Sequence, residues 1–168
     1  AEEIRKIRFY GGSILDPHSA WLLRRSLQTF PLRMRHHAAT FGEMAAHLRA
    51  HPRVRRVFVP DVDGRQLAAY GGILFVELDP ALEPAVEAFM DSLRLFERGT
   101  SMASVVSSVA QPWSGSHLSM TEEEKLRAGI GKTLVRLCFG LEDPADLKAD
   151  LTQALDRAGA ALPAEVKA

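Results

Sequence analysis

The segment Gly71-Gly72-Ile73-Leu74-Phe75-Val76-Glu77-Leu78 limits the possible folds more than any other stretch. Its middle is apolar on both faces, so it reads as a strand inside a sheet and not at an edge. Such a strand needs a partner on each side and a covering layer. Val54 to Pro60 and Leu134 to Phe139 supply two more strand-like runs, rich in β-branched and other apolar residues. Residues 96–112 read as short extended pieces and loop.

The helical signals are equally local. A helix opens the chain and is broken at Gly11-Gly12. Asp16-Pro17 starts the next, because Asp caps free amides and Pro suits the first turn. That stretch runs to about Ala50 with a break at Pro31, and His51-Pro52 closes it. Leu82, Val86, Phe89, Met90 and Leu93 predict an amphipathic helix over 81–95,. Thr121-Glu122-Glu123-Glu124 is a capping box, and Gly129 ends that short helix,. Asp143-Pro144 opens the last helix, striped by Leu147, Leu151 and Leu155, with Gly159 past its end and a loose tail from Ala160. The strands are few. That predicts an α+β layer, a few-stranded sheet with helices packed on one face, over a doubly wound fold.

Composition narrows the function. The chain has 168 residues with 21 Lys+Arg against 21 Asp+Glu. Residues 1–65 carry 12 basic and 6 acidic side chains, and the rest 9 and 15. The arginines of the basic half are spread along helices, and Phe41, Phe58 and Trp21 fall at apolar-face or strand positions. No nucleic-acid partner is expected. One Cys excludes a disulfide framework or a four-cysteine zinc site,. No run approaches the ~20 apolar residues of a membrane span. No signal peptide opens the chain, so a cytoplasmic location is expected.

Familiar chemistries fail one by one. Gly131-Lys132-Thr133 lacks the first glycine of a phosphate loop, since that position is Leu126,. His47 and His51 share a helix face with Glu43 but have no HExxH context and no third ligand, so no metal is expected,. Ser114-Gly115-Ser116 is not a nucleophile elbow. Cys138 reads as a small buried residue. Arg136 stands apart, because its strand is otherwise apolar. Pointing inward, its charge needs a carboxylate, from a structural Asp or Glu or from a ligand.

Val135-Arg136-Leu137-Cys138-Phe139-Gly140-Leu141-Glu142-Asp143 resembles the C-terminal end of the Cys/Met-metabolism (transsulfuration) enzymes, which use pyridoxal phosphate. Trp21 to Met34, with Leu27-Gln28-Thr29-Phe30-Pro31-Leu32-Arg33-Met34, is similar to the family's Leu-Lys-Thr-Leu-Pro-Leu-Arg-Met helix. His51-Pro52-Arg53-Val54, Gly71 to Leu78, Phe96 to Pro112 and Ser116-His117 follow in order.

The resemblance implies the small C-terminal domain of a fold-type-I, aspartate-aminotransferase-like enzyme. Residues 1–16 would end the large cofactor-binding domain, 17–50 would be linking helices, and 51–168 the small domain. Arg136 would grip the substrate's α-carboxylate. Ser101 would lie close to the cofactor lysine and that carboxylate, as a catalytic and binding residue. Thr100 would sit where the family varies with activity, and Ser116 would be a hydroxyl near the ligand. Ala103-Ser104 stands in place of the family's Gly-Gly, Val106 in place of a following Glu, and Gly115 in place of a Met.

The family's cofactor lysine lies in a Ser-x-Thr-Lys context that Lys6, Lys125, Lys132, Lys148 and Lys167 do not have. By resemblance, this chain is expected to lack the cofactor-binding residues and to bind no cofactor covalently. Its implied partners are an N-terminal cofactor-binding portion, an amino-acid substrate and further copies in a homo-oligomer. The implied activity is elimination or replacement at Cβ or Cγ of a sulfur amino acid. The alternative is a non-catalytic interaction or regulatory domain derived from the family.

Overall fold

The computed structural model describes residues 1–162. Lys167 and most of the tail expected from Ala160 lie outside the described residues. The chain divides into two compact units, Ala1–Arg33 and Met34–Ala168.

The first unit holds α1 (Glu2–Gly11), α2 (Pro17–Gln28) and the first turn of α3 (Phe30–Arg49). Gly12 ends α1 at φ 67°, a left-handed conformation that glycine adopts without strain,. Asp16 caps α2 by accepting the backbone N–H groups of His18 and Ser19,. The helix break falls at Thr29 and not at Pro31. Pro31 is the second residue of α3, where a missing N–H costs nothing. No residue of α1 or α2 is buried, and Trp21 is exposed, against the expectation of an apolar-face position.

The second unit is built on β1 (Val54–Phe58), β2 (Ile73–Leu78), β3 (Glu97–Arg98), β4 (Ser108–Ala110) and β5 (Leu134–Cys138). The order across the sheet is β1-β2-β5-β4-β3. All pairs are antiparallel except β3 with β4. β2 and β5 are interior, as their apolar runs require.

One face of the sheet is covered. Leu74, Val76, Val109, Val135 and Leu137 point into it and are fully buried. They meet Phe41 and Met44 of α3, Phe89 of α4 (Val86–Ser92), and Leu147 and Leu151 of α6 (Pro144–Ala160) in one core. This is the expected one-sided α+β layer. The short α5 (Glu122–Arg127) carries the complete capping box at Thr121 and Glu124, and Gly129 follows at φ 75°.

Two local expectations are corrected. Residues 81–95 do not form one helix: Pro80–Ala85 is a 3-10 segment, and α4 begins only at Val86. Pro84 lies inside the stretch and cannot donate the bond that a continuous α-helix needs,. Gly159 does not lie past the end of α6, which runs to Ala160. A Cβ at Gly159 would collide with the Arg53 guanidinium, so the glycine makes room for a side chain.

Candidate active site

Arg136 lies at the middle of the central strand β5, paired with Phe75 on β2 and Ala110 on β4. Strand alternation sends Val135 and Leu137 into the covered face and Arg136 to the other. Arg136 is only partly buried, and among the described residues it has no carboxylate partner. Its Nη2 donates instead to the backbone carbonyl of Ser101, at 2.5 Å. The thiol of Cys138, on the same face two residues on, donates to that same carbonyl at 2.9 Å. Cys138 is buried, as its residue type suggests.

The structure therefore brings Arg136 and Ser101 together through the serine's main chain. Thr100 precedes it on the surface. Ser116 is not brought to them among the described contacts. It is exposed, and its Oγ lies 2.9 Å from Nδ1 of the adjacent His117. Its loop is pinned by Lys125, whose buried Nζ donates to the Trp113 carbonyl at 3.0 Å and lies 4.8 Å from the centre of the indole ring.

One support of the site went unrecognised in the sequence. Glu142 accepts the Ser107 backbone N–H at 2.7 Å and the Ser107 hydroxyl at 2.8 Å. The Ser107 Oγ in turn accepts the Gly140 N–H at 2.8 Å. This ties the end of the loop after Ser101 to the end of β5. The partners are 35 residues apart, beyond the reach of any local pattern. Ala103, in the loop after Ser101, holds φ 55°. Its one sequence signal was an alanine where the similar family has glycine.

His47 and His51 each face a side chain of α6. His47 Nε2 lies 2.9 Å from Thr152 Oγ1, and His51 Nε2 lies 3.9 Å from Asp156. Burial pushes both imidazoles below their ordinary pKa, and for His51 the nearby Asp156 works against that shift,. Among the described residues no group of three His, Cys, Asp or Glu is placed to share a metal. Among the same residues no helix is long and apolar enough to cross a membrane.

A family model described as Cys/Met metabolism PLP-dependent enzyme matches residues 1–156. The chain belongs to this family. It is 36% identical over 162 residues to cystathionine gamma-synthase 1, chloroplastic, of Arabidopsis thaliana, covering 92% of the chain and 29% of that relative. It is 38% identical over 152 residues to L-methionine gamma-lyase of Pseudomonas deceptionensis, covering 86% and 38%.

Among solved structures, a cystathione gamma lyase from Micromonospora echinospora superposes with a TM-score of 0.82 at 34% identity, covering 91% of this chain and 42% of that one. Cystathionine gamma synthase from Xanthomonas oryzae pv. oryzae, in complex with aminoacrylate and cysteine, gives 0.78 at 37%, covering 87% and 40%. The chain thus has the fold of part of a fold-type-I pyridoxal-phosphate enzyme and spans well under half the length of these relatives.

Pyridoxal phosphate is the family's cofactor. The described residues fit the substrate side of such a site, because a partly buried guanidinium without a carboxylate suits an incoming one,. Among the described lysines, Lys6 pairs with Glu2, Lys132 with Glu83 and Lys148 with Glu43, and Lys125 donates to the Trp113 carbonyl. No cofactor step is assigned to a residue of this chain.

Proposed function

We propose that the chain is the C-terminal part of a pyridoxal-phosphate enzyme catalysing elimination or replacement at Cβ or Cγ of a sulfur amino acid. Its own contribution is the binding site for the substrate's α-carboxylate. The observation that carries this reading is Arg136: a guanidinium in an apolar strand, steered by the Ser101 carbonyl and lacking an internal carboxylate. A planar guanidinium takes a carboxylate through two parallel hydrogen bonds, so it fixes orientation as well as position. The cofactor, when bound, supplies an electron sink for the charge left at the substrate's Cα. Arg136 then decides how Cα is presented, and Ser101 holds the guanidinium in place.

The reading brings its partners with it. An N-terminal portion carries the cofactor lysine, and further copies complete a homo-oligomer. Residues 1–16, 17–50 and 51–168 take the roles of large-domain end, linking helices and small domain. A cytoplasmic location suits the free thiol of Cys138,. The second reading, a non-catalytic interaction or regulatory domain, draws its support from the lysines of this chain, none of which has the family's Ser-x-Thr-Lys context.

One experiment separates the two. The chain is mixed with the N-terminal portion and pyridoxal phosphate, and absorbance is followed near the edge of the visible. The enzyme reading expects a bound-cofactor band that L-methionine perturbs, with Arg136→Ala requiring at least a hundredfold more amino acid. No band with the N-terminal portion present defeats that reading and leaves the regulatory one.

A further inference from the structure

Strand alternation puts Arg136 and Cys138 in one row along the open side of β5. Cys138 is nonetheless only 3% exposed. The loop after β3 reaches over it, and the Ser101 carbonyl of that loop accepts both the Cys138 thiol and the Arg136 guanidinium. Main-chain bonds tie the loop down on either side of this point. Gly99 N–H donates to the Val109 carbonyl at 2.9 Å, and Leu141 N–H donates to the Val105 carbonyl at 3.0 Å. Between these ties, Ser101 is where two side chains of β5 grip the loop.

The two donors differ in freedom. A guanidinium ends a long, rotamer-rich side chain, so its position follows its acceptor. A thiol is one torsion from the backbone, and the backbone of Cys138 is locked in the ladder between Ile73 and Ser108. The sheet therefore fixes the sulfur and leaves the guanidinium to be fixed by something else. A carbonyl oxygen has two lone pairs and can take both donors at once. Burial of the thiol removes water as a competitor for its share of that oxygen.

We propose that Cys138 is a positioning residue for the carboxylate site: its thiol pins the Ser101 carbonyl, and the pinned carbonyl aims the Arg136 guanidinium. The proposal rests on Arg136 as the carboxylate holder. The thiol acts through the shared oxygen and touches no ligand. Its effect is therefore confined to ligands that carry a carboxylate. Without the thiol the carbonyl moves with its loop, the guanidinium follows, and the two parallel bonds to a carboxylate lose their alignment.

The test is equilibrium binding, read by calorimetry and not by turnover, on the chain combined with its N-terminal portion and pyridoxal phosphate. The probes are methionine lacking its amino group, a carboxylate only, and methionine lacking its carboxyl group, an amine only. Cys138→Ala should weaken the carboxylate probe roughly threefold to tenfold, the range of one hydrogen bond between uncharged groups. The amine probe should keep its wild-type affinity. Cys138→Ser restores a donor and should recover the carboxylate affinity. Cys138→Val fills the space without donating and should behave as Cys138→Ala does. It stands in for the alanine variant if that one melts below the assay temperature.

Unchanged carboxylate affinity in Cys138→Ala and Cys138→Val overturns the role of Cys138 and leaves Arg136 standing. Equal weakening of both probes, or no recovery in Cys138→Ser, assigns the thiol to packing and overturns that role too. A wild-type protein that does not bind the carboxylate probe overturns the Arg136 reading, and this inference falls with it.

Discussion

The carbonyl oxygen of Ser101 lies 2.5 Å from Nη2 of Arg136, so the guanidinium is aimed by main chain and not neutralised by a side chain. A carbonyl orients a cation without cancelling its charge. The remaining N–H groups stay available to an incoming carboxylate.

Arg136→Lys keeps the positive charge and removes the fork. Hydrogen bonds to charged groups contribute about 1.5–3 kcal/mol each. Carboxylate affinity should therefore fall roughly ten- to a hundredfold, measured as the amino-acid concentration needed to perturb the bound-cofactor band. An affinity equal to wild type would show that no bidentate grip exists.

Ala103 adopts φ 55° in the loop that follows Ser101. A left-handed conformation costs a non-glycine residue about 1–2 kcal/mol, partly offset by the extra unfolded-state freedom of glycine. Ala103→Gly should stabilise the protein by roughly 0.5–1 kcal/mol in urea unfolding. A loss of stability would mean that the alanine methyl contributes packing worth more than the strain.

Asp150 is almost fully buried, and its carboxylate accepts the backbone N–H groups of Arg94 and Leu95 at 2.9–3.1 Å, with Gln153 as a third donor. It fixes the turn that leads into β3. Asp150→Ala strands those donors and should cost about 2–4 kcal/mol. Asp150→Asn, which keeps one acceptor oxygen, should cost less. The two midpoints in chemical denaturation check the order.

His47 and His51 sit between α3 and α6 with pKa values lowered mainly by burial. The folded state therefore favours neutral rings more than the unfolded state does. Their contribution is complete above the unfolded value of about 6.5. It declines as pH falls from there through the lowered folded values. Melting temperature should drop between pH 7.5 and pH 5.5, and replacing both histidines by Gln should flatten that slope. The carboxylates of Asp16, Asp63 and Glu124, held below their ordinary values by hydrogen bonds, lose their contribution only at lower pH.

Much of the fold was legible because its signals are local. Asp16-Pro17, Asp143-Pro144 and Thr121 to Glu124 each carry a complete helix start within four residues. The apolar run around Leu74 announced an interior strand, and the run around Leu137 announced a strand. The stripe of Leu82, Val86, Phe89, Met90 and Leu93 predicts one helix over 81–95 because apolar spacing ignores the missing N–H of Pro84,. Gly159 reads as a stop in the sequence because the Arg53 side chain that needs its space lies over a hundred residues away. Arg136 was conspicuous by charge alone. What holds it, the Ser101 carbonyl together with the Glu142–Ser107 tie, depends on main-chain groups and long separations that residue type does not encode. Ser116, singled out by resemblance, shows how an ordered match along a chain can name a residue without giving its distance from the site.

The alternation in β5 has a consequence for how the protein assembles. A slip of one residue between β5 and its neighbours would exchange the two faces of the strand. Arg136 would enter the core, and Leu137 would take its place in the open row. The buried charge makes that misalignment costly. The arginine that suits a ligand thus also acts as a registration mark, and a chain that aligns this strand correctly has already put its guanidinium where a carboxylate can find it.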